Sequence, residues 1–152
     1  VLAPNDASLL LRSIKTLPMR VKKQNESALL IAQYLEEHKK VKKVYHPGLI
    51  SHLQYGLAAS QMRGFGGCFS FELDCAYPKA VKFVEALKLC KLAVSLGGVE
   101  TVVTLPAAQW KPFYNKEQLA ATGISESLIR LAVGIENPED IIRDLESAFR
   151  KI

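Results

Sequence analysis

Arg130 is the residue with the most chemical content. It stands in LIRLAVG, residues 128–134, where every neighbour is apolar or glycine. If that run is a strand, its faces alternate and Arg130 shares one with Leu128 and Ala132. A guanidinium among apolar side chains requires solvent or an anionic partner. Its planar fork matches a carboxylate in bidentate geometry. The partner is either a ligand carboxylate or a structural aspartate or glutamate. A second candidate is SLGGVE, residues 95–100. There Ser95 and the amides of Gly97 and Gly98 can present donors to a carboxylate, or the segment is simply a tight turn between strands. A third is MRGFGG, residues 62–67, with Arg63. Glycine amides can wrap a phosphate, but the Lys-Ser or Lys-Thr ending of a phosphate loop is absent. This stretch reads as a loop entering a tight strand, with glycines allowing the turn.

The other reactive side chains form no pattern. His38, His46 and His52, with Cys68, Cys75 and Cys90, give no CxxC or HExxH spacing, so no metal site is expected. Cys68 and Cys90 sit in apolar neighbourhoods and read as inert packing. Lys22, Lys23, Lys39, Lys40, Lys42 and Lys43 are interrupted by Glu26, Glu36 and Glu37 and lack interleaved aromatics. They read as a solvated face, and no nucleic-acid partner is expected.

Several elements must position these residues. Leu10, Ile14 and Leu17 recur at helical spacing within residues 6–17, and Asn5 or Asp6 caps the start. Pro18 opens a second helix, which Val21, Ala28, Ile31, Ala32 and Leu35 carry to about Glu37. VKKVY (41–45) reads as a strand with one wet face, and HPGLISHLQYG (46–56) as a loop. GCFSFEL (67–73) sets Cys68, Ser70 and Glu72 against Phe69, Phe71 and Leu73, the clearest strand pattern in the chain. Pro78 opens a helix with Val81, Val84 and Leu87 along one side. LAVS (92–95) and TVVTL (101–105) read as strands flanking a Gly97-Gly98 turn. Asn115 with Gln118 makes a capping box, and Asn137-Pro138 starts a last helix faced by Ile141, Leu145 and Phe149. The fold class is α/β, a small, mostly antiparallel sheet covered by helices.

The chain has 152 residues, 49% of them hydrophobic and 23% charged, the size and balance of one globular domain. Its net charge of +5 admits anionic partners without selecting one. Three cysteines, an odd number, argue against a disulfide framework and for a reducing compartment. The opening VLAPNDASLLLRSIK is broken by Asn5, Asp6 and Arg12 and is not a secretory signal. No apolar run reaches the roughly 18 residues of a membrane span. A start without methionine, directly at a helical pattern, reads as a beginning inside a larger protein or as the product of maturation.

Taken in order, DASLLLRSIKTLPMR, LEEHKKVKKVYHPGL, GGCFSFEL, LAVSLGGVET and GISESLIRLAVGIENPEDIIRDLESAF resemble the carboxy-terminal domain of one family. That family holds the pyridoxal-phosphate enzymes of sulphur amino acids: cystathionine synthases and lyases, methionine gamma-lyase and O-acylhomoserine sulfhydrylases. The resemblance spans nearly the whole chain. It implies a fold-type-I enzyme whose other, larger domain carries the cofactor lysine, the main phosphate ligands and the stacking aromatic, so no catalytic residue is assigned here. Residues 1–37 would be a helical lead-in to that missing cofactor domain, and 38–152 the substrate-side domain.

By the same resemblance, Arg130 matches the arginine that holds the substrate carboxylate. Ser95 matches the serine of the SLG motif, with Leu96 and Gly97 beside it. Val94 stands where some relatives carry glutamate or tyrosine near the distal substrate group; an uncharged residue leans toward a less polar end such as a methylthio group. Gln109-Trp110-Lys111 departs from the family's usual segment and puts substrate choice in doubt. The resemblance implies a cytoplasmic homotetramer acting on a small sulphur amino acid, foremost as a carbon–sulphur lyase. A gamma-synthase or sulfhydrylase is the alternative, and a non-catalytic assembly or regulatory domain that kept the fold is another. This chain alone is expected to be inactive.

Overall fold

The computed structural model describes residues 1–152, apart from the side chains of Lys116 and Ala120. Two helices come first, α1 (Pro4–Ile14) and α2 (Leu17–Glu36). Pro18 lies in the first turn of α2, where its missing N–H leaves no helical bond unmade. Arg20 ties the joint between the helices, donating to the Ser13 carbonyl at 2.9 Å and the Thr16 hydroxyl at 3.2 Å.

Next come β1 (Val41–Tyr45), α3 (Tyr55–Gln61), β2 (Cys68–Leu73) and α4 (Tyr77–Ala86). The chain continues through β3 (Lys91–Leu92), β4 (Val102–Thr104), α5 (Pro106–Trp110), α6 (Lys116–Ala121), β5 (Leu128–Ala132) and α7 (Pro138–Phe149). The sheet order is β1-β2-β5-β4-β3, antiparallel except for the parallel pair β3–β4. Period-two alternation gives the sheet two unlike faces. Phe69, Phe71, Leu73, Val103, Ile129 and Leu131 point into a core shared with α2, α4 and α7. Phe83 is central to it, 4.7 Å from the Phe149 ring and 6.2 Å from Phe71. Each such ring pair contributes about 0.5–1.5 kcal/mol beyond its buried area.

The opposite face carries Ser70, Arg130 and Thr104 in one cross-strand row, beside Cys68, Ala132 and Val102 in the next. The mostly antiparallel, helix-covered sheet follows the sequence reading, and so does the placing of Arg130. The capping box also forms: the Asn115 amide donates to Gln118 Oε1 at 3.0 Å, and the Gln118 amide to Asn115 Oδ1 at 2.9 Å.

Four expectations are corrected. LAVS is a strand only at Leu92, and Gly97-Gly98 is no hairpin turn: β3 and β4 run parallel, so residues 93–101 form a crossover. The expected loop 46–56 gives way to α3 at Tyr55, whose start has no side-chain cap to advertise it. Val84 is buried and Val81 and Leu87 pack partly buried against the same core, as expected, but Ala80 and Phe83 share the buried side and Leu87 lies past the end of α4, where the chain turns to meet Asp144. Cys68 is exposed rather than packed away, whereas Cys90 is buried. The Leu10, Ile14 and Leu17 stripe has the expected spacing, but all three are exposed and α1 buries no residue. No described helix is long and apolar enough to cross a membrane.

Candidate functional site

Arg130 occupies the middle of β5, flanked in register by Ser70 on β2 and Thr104 on β4. Its Nη2 donates to the carbonyls of Val94 at 3.1 Å and Ser95 at 3.0 Å, and to Thr104 Oγ1 at 3.1 Å. Those acceptors are all neutral, and Arg130 forms no salt bridge among the described residues. Its Nε is buried without any hydrogen-bond partner. The guanidinium is therefore oriented by the protein but not neutralised by it, and a buried donor waits for an acceptor. The sequence left open a structural acid or a ligand carboxylate; no acid is there.

The loop over Arg130 is built from both shoulders. On the first, the Ala93 amide donates to the Val103 carbonyl at 3.0 Å. On the second, Gln24 Nε2 of α2 donates to the Gly98 carbonyl at 2.7 Å, and the Ile135 amide to the Val99 carbonyl at 2.9 Å. Glu136 closes that side: it accepts from the Thr101 amide at 2.6 Å and the Thr101 hydroxyl at 2.8 Å. The same hydroxyl accepts from the Gly134 amide at 2.9 Å. Gly134 has to be glycine, because a Cβ would run into the Val99 carbonyl oxygen and the Glu100 backbone. Gly97 has φ +76°, the left-handed region that glycine enters without strain. Between these shoulders Val94, Ser95, Leu96 and Gly97 stand exposed.

The structure thus brings together Arg130 with Val94 and Ser95, through their carbonyls. The Ser95 hydroxyl, Leu96 and Gly97 make no hydrogen bond to Arg130. Val94 also lines a groove of about 370 Å³ with Tyr77, Thr104, Ala108 and Gln109. The Gln109-Trp110-Lys111 segment is anchored at its edge. Lys111 lies 3.2 Å from the centre of the Tyr77 ring and 3.1 Å from Glu126. Arg63 stays apart, in a shallow pocket beside α2. Sequence reasoning missed Thr104, Gln24 and Glu136, which become site neighbours only through long-range pairing.

No group of three or more His, Cys, Asp or Glu that could hold a metal occurs among the described residues. His46 is buried, its Nδ1 accepting from the Gly48 amide at 3.0 Å, and burial pushes its pKa below the ordinary value of 6.5. Cys68 lies within electrostatic reach of Arg130; although the residue is exposed, partial desolvation of its thiol raises the pKa and Arg130 opposes that rise.

A helix-backed sheet thus presents, on its open face and under an exposed glycine loop, an arginine that no described acidic side chain neutralises. The chain is a member of the Cys/Met metabolism PLP-dependent enzyme family, whose model matches residues 1–150. It is 43% identical to an L-methionine gamma-lyase of Fusobacterium nucleatum subsp. nucleatum, over 100% of this chain and 38% of the relative. A cystathionine beta-lyase of Coxiella burnetii is 44% identical over 98% of this chain and 38% of its own length. A chloroplastic cystathionine gamma-synthase of Arabidopsis thaliana is 42% identical over 99% of this chain and 27% of its own. A cystathionine gamma-lyase structure from Lactobacillus plantarum, complexed with L-serine, superposes with a TM-score of 0.90 at 37% identity, covering all of this chain and 40% of that one. The fold is that of a fold-type-I PLP-enzyme carboxy-terminal domain. The chain spans well under half the length of the relatives it matches.

Proposed function

We propose that this chain is the substrate-side domain of a pyridoxal-phosphate enzyme that cleaves a carbon–sulphur bond of a methionine- or cystathionine-like amino acid. The observation that carries the reading is the buried, unpaired Nε of Arg130 in a guanidinium without an acidic neighbour. A carboxylate supplies the acceptor and the charge that the site lacks.

The cofactor itself does not fit this chain's residues. Its aldehyde requires an amine, and the neighbours of Arg130 on the open face are Ser70, Thr104, Cys68, Val94 and Ser95. When bound by the remainder of the enzyme, the cofactor supplies an electron sink for the carbanion formed on the substrate. The part played by this chain is positional. Arg130 fixes the substrate carboxylate, and the Val94–Gly97 loop closes over it, so that one rotation about the alpha carbon is selected. Val94 offers no charge to the distal end of the substrate, which suits a methylthio group.

Residues 1–37 are the lead-in to the cofactor domain, and the exposed Leu9, Leu10, Leu11 and Ile14 of α1 are the surface it covers. The cytoplasmic homotetramer belongs to the same proposal. The 42% identity to a cystathionine gamma-synthase keeps a replacement reaction as the second reading.

The product decides. With the complete enzyme and methionine or cystathionine alone, a lyase releases a 2-oxo acid, ammonia and a thiol. Thioether formation that requires an added thiol acceptor establishes the synthase instead. A complete protein that holds the cofactor and does neither is the non-catalytic relative.

A further inference from the structure

We propose that Thr104 is a positioning residue for Arg130, a hydroxyl of fixed polarity that aims the guanidinium at the substrate carboxylate. This inference rests on Arg130 holding that carboxylate. Thr104 ends β4, is 2% exposed and is the register partner of Arg130 across the β4–β5 pair. Its Oγ1 donates to the Ala93 carbonyl at 2.6 Å and accepts from Arg130 Nη2 at 3.1 Å.

Neither bond can reverse. A carbonyl only accepts, a guanidinium only donates, and a hydroxyl has one proton. That proton goes to Ala93, so an oxygen lone pair faces Arg130. The β-branch further restricts the hydroxyl to few rotamers. Ser70, on the other side of Arg130, makes no hydrogen bond to it, so the aim comes from β4 and its loop alone.

The arrangement has a consequence for charge. An acid at position 104 would align Arg130 equally well but would neutralise it and compete with the ligand. A threonine aligns it and leaves the whole positive charge available. It also links the two halves of the cradle, because Ala93 immediately precedes Val94, whose carbonyl is the next acceptor of Nη2. One hydroxyl therefore registers both the arginine and the loop above it.

The test uses the complete, cofactor-loaded enzyme and variants Thr104→Val, Thr104→Ser and Arg130→Ala. The probe is norleucine, a methionine isostere without a leaving group, with pentylamine as its counterpart lacking the carboxylate. Losing a hydrogen bond to a charged group corresponds to roughly tenfold in affinity. Thr104→Val is expected to weaken norleucine about tenfold by calorimetry and to raise KM by a similar factor with less change in kcat. Pentylamine affinity and the bound-cofactor spectrum stay as in the parent, and Thr104→Ser restores norleucine binding. If Thr104→Val does not fold, Thr104→Ala removes the same hydroxyl and reads the same loss. Parental norleucine affinity in Thr104→Val or Thr104→Ala, with affinity lost in Arg130→Ala, overturns the role of Thr104 and leaves that of Arg130 standing. Equal weakening in the Ser and Val variants overturns it too, since the hydroxyl would not be the cause. Parental affinity in Arg130→Ala overturns the carboxylate reading beneath both.

Discussion

Removing the Asp144 carboxylate should unlatch the turn that delivers β3 to the site. Asp144 lies on α7, on the buried side with Ile141 and Leu145. Its two oxygens accept three consecutive backbone amides: Lys88 at 2.9 and 3.2 Å, Leu89 at 2.9 Å and Cys90 at 2.9 Å. Those amides follow the end of α4 and precede Lys91, the first residue of β3. Hydrogen bonds to a charged acceptor contribute about 1.5–3 kcal/mol each. In Asp144→Ala the Lys88 and Leu89 amides turn toward water, whereas the buried Cys90 amide loses its only acceptor among the described residues. The net cost is about 3–5 kcal/mol once rehydration of the outer two is allowed. Asp144→Asn keeps one acceptor oxygen but sets an amide donor against the N–H groups, for a cost of about 2–3 kcal/mol. Urea unfolding followed by circular dichroism reads both values, and for a chain of this size each kcal/mol moves the thermal midpoint by about 2–4 °C. A loss below about 1 kcal/mol for Asp144→Ala would refute the reasoning, because it would mean that water replaces all three bonds at no cost.

Two further outcomes follow from the loop and from its neighbour. Gly134→Ala forces a methyl group against the Val99 carbonyl, so it should destabilise by about 1–3 kcal/mol and weaken norleucine binding, as read by unfolding midpoint and calorimetry. An unchanged midpoint would contradict the close approach. His46 has a folded-state pKa below its ordinary 6.5 because it is buried, so the unfolded chain takes the proton first. Its contribution to stability is complete above about pH 6.5 and falls as pH drops from there toward the folded pKa. His46→Gln should flatten the loss of stability between pH 7.5 and 5.5, and an unaltered slope would assign that loss to other groups.

Arg130 was legible in the sequence because a charge inside an otherwise apolar run has few physical meanings. Its strand, its face and its need for a partner all follow from LIRLAVG alone. Thr104 was not legible, because a threonine in TVVTL looks like any strand residue until β4 is paired with β5 in one particular register. The parallel β3–β4 pair was hidden for a different reason. Only Lys91 and Leu92 form β3, too few residues for a period, and Gly97-Gly98 carries the composition of a hairpin turn. Asp144 appeared as one polar residue on an amphipathic helix; its three amides come from a turn more than fifty positions earlier in the chain. Long-range polar contacts of this kind leave no local periodicity. The stripe on α1 shows the converse, a helical spacing read correctly on a helix that buries none of its residues.

The most direct measurement is kcat/KM of the complete enzyme with Arg130→Ala, taken beside the bound-cofactor absorbance of the same preparation. Truncating one side of a buried, hydrogen-bonded charge pair costs about 2–5 kcal/mol, or on the order of 30- to 4,000-fold. If Arg130 holds the substrate carboxylate as proposed, while the rest of the enzyme holds the cofactor, the value falls in that range with the cofactor band intact. Parental turnover and saturation in Arg130→Ala would contradict the proposal.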